Sequence, residues 1–190
     1  MYGFPLDTSK ELIRNLAGSL RETDRFNVIL FSDSLIQMSP ESVPATAENV
    51  QKAFALIDNE EGGGGTELAP ALETALAIPA SPGAARSVIA ITDGYISGER
   101  EIFDIIGRNI GTTNFFSFGI GSSVNRYLID GIAKTGLGES FVMTLKRSVS
   151  RRLPAKFRMS SFEVSRGKPY MEPDTSRIKI YSLGGIVSGV

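Results

Sequence analysis

Four short apolar segments, separated by amphipathic helical patterns, constrain the fold of this chain more than any other feature. Turn-forming residues bound these segments, which are FNVILF (26–31), SVIAIT (87–92), TNFFSF (113–118) and ESFVM (139–143). Nearly continuous apolar runs are typical of parallel strands that helices cover on both faces. Helical spacing of apolar residues recurs at 8–20, 46–58, 67–78, 100–107 and 124–134. The alternation predicts an α/β domain with a doubly wound, mostly parallel, Rossmann-like sheet.

Composition limits the chemistry that the chain can perform. Its 190 residues are 42% hydrophobic, which suits one globular domain, and they include neither cysteine nor histidine. Disulfides, zinc sites and nucleophiles activated by histidine are therefore excluded, and any metal must be held by oxygen. No signal peptide and no apolar stretch long enough to span a membrane are visible, so the sequence leaves the location of the protein unknown.

Charge divides the chain into two parts. Residues 1–143 are acidic, whereas residues 144–190 hold ten Lys and Arg against three Asp and Glu. A basic tail can bind nucleic acid or anionic membranes, but this one lacks long Lys/Arg blocks. We therefore expect a domain at 1–143, a basic, poorly defined tail at 144–190 that is either divergent or read in a shifted frame, and no nucleic-acid partner.

Two candidate site residues lie where strands give way to loops. Asp93 follows the apolar run 87–92, so its carboxylate is expected at the rim of the sheet, where ligands of such folds bind. Thr66 follows four glycines and stands at the expected N-cap of the next helix. Each residue also has an ordinary structural interpretation, Asp93 as a turn former and Thr66 as a simple cap.

Several segments together resemble a von Willebrand factor type A domain, of the bacterial type related to inter-alpha-trypsin inhibitor heavy chains. The segments are DRFNVILFSDS, GGGGTELAPALETAL, SVIAITDGYIS and FFSFGIGSSVNRYLIDGIAKTGLGESFVM, which follow one another in the family's order. The resemblance implies a non-catalytic, adhesion-type protein-interaction module with a metal ion-dependent adhesion site. It also implies that Thr66 ligates the metal directly and that Asp93 acts mainly through water.

The implied cofactor is Mg²⁺, with Ca²⁺ or Mn²⁺ as alternatives, because hard cations prefer oxygen ligands. The implied partner is a protein whose acidic residue completes the metal shell. The alternative function is a metal-assisted α/β hydrolase that uses Asp93. This alternative is disfavoured because the sequence offers no other general base or nucleophile near a strand end and no Lys or Arg in the glycine segment.

The family's first metal motif, Asp-x-Ser-Gly-Ser, ends the first strand of its sheet, and Met1 stands where the residue after that motif would be. The resemblance therefore implies an N-terminally truncated domain that lacks its first central strand and binds metal weakly or not at all. The missing strand would lie between 26–31 and 87–92. We expect the strand-like segment 177–182 at an edge of the sheet or detached, because Lys179 is poorly suited to a central strand.

Overall fold

A computed structural model describes residue 1, residues 3–80, 84–94, 96 and 98–144, and the backbone of residues 178–184. These described residues form a doubly wound α/β domain with one sheet of seven strands, as the alternating pattern predicts. The helices are α1 Phe4–Gly18, α2 Ala47–Asp58, α3 Leu68–Ala77, α4 Glu99–Arg108 and α5 Arg126–Thr135. The strands are β1 Arg25–Phe31, β2 Leu35–Gln37, β3 Val43–Pro44, β4 Ala85–Thr92, β5 Thr113–Ile120, β6 Ser140–Met143 and β7 Ile178–Gly184.

Helix α1 begins earlier than predicted, at Phe4. The helical spacing at 8–20 placed its start too late, because Gly3 is the N-cap with a φ of 59° and Pro5 lies in the first turn. Proline is tolerated in the first turn because its missing N–H would have no partner within the helix. Asp7 also lies in the first turn, where a carboxylate interacts favourably with the helix dipole.

The strands follow the order β2-β1-β7-β4-β5-β6, with β3 also beside β1. Strands β1, β7, β4, β5 and β6 are parallel to their neighbours in this series, whereas β2 and β3 pair antiparallel with β1. The parallel strands therefore all end on one side of the sheet. We call this side the carboxyl edge; it is marked by the strand ends Phe31, Thr92, Ile120, Met143 and Gly184.

Strand β7 occupies the centre of the sheet, so the prediction of an edge or detached position for this segment is wrong. Ile180 lies opposite Phe26 of β1 and opposite Ser87 of β4, in parallel register with both. The buried strands β1 and β4 need partners for their backbone N–H and C=O groups, and each unpaired buried group costs about 1–3 kcal/mol. The cost of leaving these backbone groups unpaired exceeds the cost of placing Lys179 in a central strand, which was the reason for expecting an edge position. No strand precedes α1 within the described residues, and β7 fills the predicted gap.

The boundary between a domain at 1–143 and a basic tail at 144–190 stays a prediction. Residues 145–177 and 185–190 belong to the predicted tail and lie outside the described residues. Strand β7, which also belongs to it, pairs on both sides with strands of the domain. Residues 178–184 must therefore be counted with the sheet rather than with a separate tail.

Two apolar cores lie on opposite faces of the sheet. One is formed with α1 and α2 and includes Ile13, Ile57 and Ile91, while the other is formed with α3, α4 and α5 and includes Leu72 and Ile106. Eight large apolar residues from the apolar runs 26–31, 87–92 and 113–118 are all buried, and they are Phe26, Val28, Leu30, Val88, Ile89, Ile91, Phe116 and Phe118. Helices thus cover both faces of the central strands, which explains their continuous apolar sequences.

Candidate functional site at the carboxyl edge

Loops at the carboxyl edge carry both predicted site residues. Asp93 directly follows β4, and Thr66 ends the glycine loop, residues 62–66, which lies between α2 and α3. Ligands of doubly wound α/β proteins bind beyond this edge of the sheet. Both residues therefore lie at the end of the domain where binding is expected.

The Asp93 carboxylate is largely buried, with 13% of its side chain exposed. Its Oδ2 lies 3.5 Å from the amino nitrogen of Met1, whereas its Oδ1 is buried and has no hydrogen-bond partner among the described residues. Burial raises the pKa of Asp93, and the nearby Met1 ammonium opposes that rise. Burial also lowers the pKa of the Met1 amine, against the attraction of Asp93. Within the part of the chain that the structure describes, the Asp93 Oδ1 atom thus lacks the hydrogen bond that a buried charged group needs to offset its loss of water.

Met1 connects Asp93 to the glycine loop. The Ser9 hydroxyl donates a hydrogen bond of 3.1 Å to the Met1 Sδ, and Met1 is buried. The carbonyl oxygen of Met1 lies against Gly62, where an added Cβ would collide with it. Gly62 also has a φ of 83°, so both conformation and close approach require glycine there. Asp93 and the loop that carries Thr66 therefore contact the same residue.

The glycine loop presents Thr66 in a way that the sequence did not predict. Thr66 was expected to be the N-cap of α3, but the N-cap is Glu67, which makes no side-chain capping hydrogen bond. Thr66 is half-buried and lies two residues before the first residue of α3. The Thr66 hydroxyl therefore does not cap α3, and it can serve as an oxygen donor at the carboxyl edge.

A second carboxylate, Asp33, lies at this edge and was missed by sequence reasoning. It follows β1 by two residues, and its Oδ1 accepts a hydrogen bond from the backbone N–H of Gly65. The signal that identified Asp93, a carboxylate just past an apolar strand, was also present in the sequence FSDS. Its partner lies 32 residues further along the chain, so the contact itself could not be predicted from local sequence.

The residues present fit a tightly bound cation only in part. The Thr66 hydroxyl and the Asp93 carboxylate are hard oxygen donors of the kind that Mg²⁺, Ca²⁺ and Mn²⁺ prefer. However, the described residues contain no group of three or more acidic, histidine or cysteine side chains that could hold an ion. Two protein donors leave most of a six-coordinate shell to water. The donor set therefore does not make a complete metal site.

We expect Asp93→Asn to gain stability relative to the parent protein as the pH rises from about 4 to about 7. A carboxyl group whose folded pKa is raised contributes stability below its unfolded pKa and loses that contribution as the pH rises through the folded pKa. Asparagine has no such titration. Urea unfolding of both proteins in EDTA across this range measures the difference, with Asp130→Asn at an exposed carboxylate as the control. A difference that shrinks with rising pH would contradict the expectation.

Comparison with known proteins identifies relatives of this domain. A family model for the von Willebrand factor type A domain matches residues 1–141. A von Willebrand factor A domain-containing protein of Dictyostelium discoideum is 33% identical over 139 residues, which are 73% of this chain and 15% of that protein. Von Willebrand factor A domain-containing protein 5A of Rattus norvegicus is 30% identical over 142 residues, 74% of this chain and 17% of that protein. This chain therefore spans less than a fifth of the length of these relatives.

Solved structures share the fold. A von Willebrand factor type A protein from Catenulispora acidiphila superposes with a TM-score of 0.64 at 21% identity, covering 80% of this chain and 35% of the other. Proximal thread matrix protein 1 from the mussel byssus, with a zinc-occupied MIDAS motif, gives a TM-score of 0.56 at 18% identity, covering 75% of this chain and 36% of the other. At these identities the likeness concerns the fold alone.

The resemblance to the von Willebrand factor type A domain is thus confirmed, while the bacterial subtype and the N-terminal truncation stay predictions. The family model covers most of the chain, the curated relatives carry the same domain, and the solved structures share its fold. The chain belongs to the von Willebrand factor type A domain family.

Proposed function

We propose that this chain is a non-catalytic protein-interaction module that engages a protein partner at its carboxyl edge. Domains of this family commonly mediate protein interactions. The observation that carries the proposal is the Asp93 Oδ1 atom, which is buried at this edge and has no hydrogen-bond partner among the described residues. A buried, unpaired carboxylate oxygen is costly, so a cation, or a donor group from a partner, would gain binding free energy by pairing with it.

The ligand chemistry follows from the oxygen donors at the same edge. Thr66 and Asp93 would supply two ligands to Mg²⁺, Ca²⁺ or Mn²⁺, and the cation would supply the positive charge that attracts an acidic side chain of the partner. Zinc occupies the corresponding motif in the mussel protein, which supports a divalent cation in the family. Because the donor set of the described residues is incomplete, we propose that the cation binds weakly or not at all in this polypeptide.

We expect Mg²⁺ and Mn²⁺ to bind this polypeptide no more tightly than about 1 mM, a standard free energy near −4 kcal/mol. Thr66 and Asp93 alone replace few of the waters of either ion, so little affinity is gained over hydration. Isothermal calorimetry measures the constant in the parent protein, in Asp93→Ala and, as a matched control, in Asp130→Ala. Micromolar binding that Asp93→Ala abolishes and Asp130→Ala retains would show that the site is complete.

The interaction itself is tested by adding a short aspartate-containing peptide to the ¹⁵N-labelled protein in millimolar Mg²⁺. Amide shifts confined to the glycine loop and to the residues after β4 are expected, with loss of these shifts in Asp93→Ala. Shifts elsewhere on the domain, or shifts that persist in Asp93→Ala, would contradict the proposed surface.

The alternative is a metal-assisted hydrolase that uses Asp93. We infer against it because the glycine loop contains no Lys or Arg that could bind a phosphoryl group, and because Asp33, the other carboxylate described at this edge, accepts a hydrogen bond from the Gly65 N–H. Release of phosphate from a generic phosphomonoester that depends on both Mn²⁺ and Asp93 would favour the enzyme.

The described residues also contain no helix with the length and apolar character needed to cross a membrane.

A further inference from the structure

The glycine loop is intrinsically difficult to hold in one conformation. Three consecutive residues have positive φ angles, Gly62 at 83°, Gly63 at 124° and Gly64 at 79°. Fixing the backbone of each residue costs about 1–2 kcal/mol of conformational entropy, and glycine is at the high end of this range. A loop of this composition therefore needs contacts from outside itself if it is to present Thr66 in a defined position.

Asp33 supplies such a contact at the end of the loop that precedes Thr66. Its Oδ1 accepts a hydrogen bond from the Gly65 N–H, and a bond from a backbone N–H to an ionised carboxylate is stronger than one between neutral groups. The carboxylate also packs directly against the loop. An added Cβ would lie 2.8 Å from Asp33 Oδ2 at Gly64 and 2.7 Å from Asp33 Oδ1 at Gly65. A side chain at either glycine would therefore have to displace the Asp33 carboxylate.

Strand β1, which ends two residues before Asp33, is buried in the core. Asp33 lies in the tight turn between β1 and β2, where the Ser32 N–H donates a hydrogen bond of 2.9 Å to the Ser34 carbonyl oxygen. Phe31 pairs with Leu35 on either side of this turn and is buried in the core. Asp33 is therefore next to a buried strand of the sheet, although β2 on the other side of the turn is exposed or half-buried, while the loop that it contacts has little structure of its own.

We infer that Asp33 is the positioning residue of this site, holding Gly65 so that the next residue, Thr66, points its hydroxyl to the carboxyl edge. The inference rests on the proposed function, because it gives Thr66 a role in binding. Glu67 makes no capping hydrogen bond, so the helix that follows does not fix Thr66 through its N-cap side chain. Asp33, which follows strand β1 of the sheet, instead holds the loop through its hydrogen bond with Gly65. The sheet therefore sets the position of Thr66.

The test compares Asp33→Ala with Asp33→Asn in the full chain, with Asp130→Ala as control. Asp130 is also exposed and accepts one hydrogen bond, from Ser140 Oγ at 2.7 Å. The Gly65 amide should exchange with solvent about tenfold faster in Asp33→Ala, and the Thr66 amide and methyl signals should broaden or shift. Asp33→Asn keeps an acceptor oxygen of the same shape but loses the charge, so it should restore both for the most part, with Gly65 exchange between that of the parent and that of Asp33→Ala. Asp130→Ala should change neither.

A second measurement separates positioning from simple structural support. Paramagnetic broadening of the Thr66 methyl signal by millimolar Mn²⁺ should occur in the parent protein and in Asp33→Asn but fall in Asp33→Ala, at unchanged thermal unfolding temperature. Unchanged Gly65 exchange or an unaffected Thr66 in Asp33→Ala would overturn the inference. If Gly65 and Thr66 respond to Asp33→Ala but Mn²⁺ broadens Thr66 in none of the proteins, the positioning role stands and the proposed cation ligand falls.

Discussion

Ile91→Ala should reduce the free energy of unfolding by about 2 to 5 kcal/mol. Ile91 is fully buried in β4 and belongs to the core between the sheet and α1 and α2. Its truncation removes apolar contacts on a central strand and leaves a cavity that the flanking strands cannot readily close. Against a whole-domain stability of about 5 to 15 kcal/mol, this is a large fraction. Urea denaturation followed by circular dichroism measures the loss.

Asp93→Ala, two residues further along the chain, is the matched comparison. It removes a largely buried carboxylate whose Oδ1 has no hydrogen-bond partner among the described residues, so its effect on stability should be much smaller. If Asp93→Ala destabilises the domain as severely as Ile91→Ala, then Asp93 is a structural turn residue and the proposed binding role for it is wrong.

Ile180→Pro should destabilise the domain by about 3 kcal/mol or more and will unfold it if its stability is near the lower limit. Ile180 lies opposite Phe26 on one side and Ser87 on the other. Proline removes an N–H from the middle of a strand that is hydrogen-bonded on both sides, and its ring disturbs the ladder. Thermal and urea unfolding of the purified variant measure the effect.

Ile180→Val is the control, because it keeps the backbone N–H and the β-branched shape, and it should cost far less. A proline variant as stable as the valine variant would mean that β7 does not occupy the centre of the sheet in solution. In that case the expectation drawn from the sequence, an edge or detached segment, would hold after all.

The buried strands could be predicted closely because their sequences reflect packing on both faces. The apolar runs at 26–31, 87–92 and 113–118 correspond to β1, β4 and β5 to within two residues at each end. Strands β2 and β3 were missed, because they are short and their residues are exposed or half-buried. The start of α1 was missed because Gly3 and Pro5 also suit a turn, and local sequence does not distinguish the two.

Long-range contacts explain the remaining differences. The position of β7 depends on the unpaired backbone groups of β1 and β4, which no local pattern near residue 180 reveals. At the candidate site, Asp93 could be found because a polar residue directly follows an apolar strand. Asp33 has the same signal, but its importance comes from Gly65, which is distant in sequence and close in space.

The central position of β7 also affects how the domain can form during synthesis. Strands β1 and β4 leave the ribosome well before residues 178–184, and the sheet cannot be completed until that segment arrives. Closing a connection as long as the one from β6 to β7 carries an entropic cost before any pairing is gained, and non-local pairing of this kind slows folding. In the meantime, two apolar strands present unpaired edges that other chains can join. The nascent chain should therefore depend on chaperones or on rapid completion of its C-terminal strand to avoid aggregation.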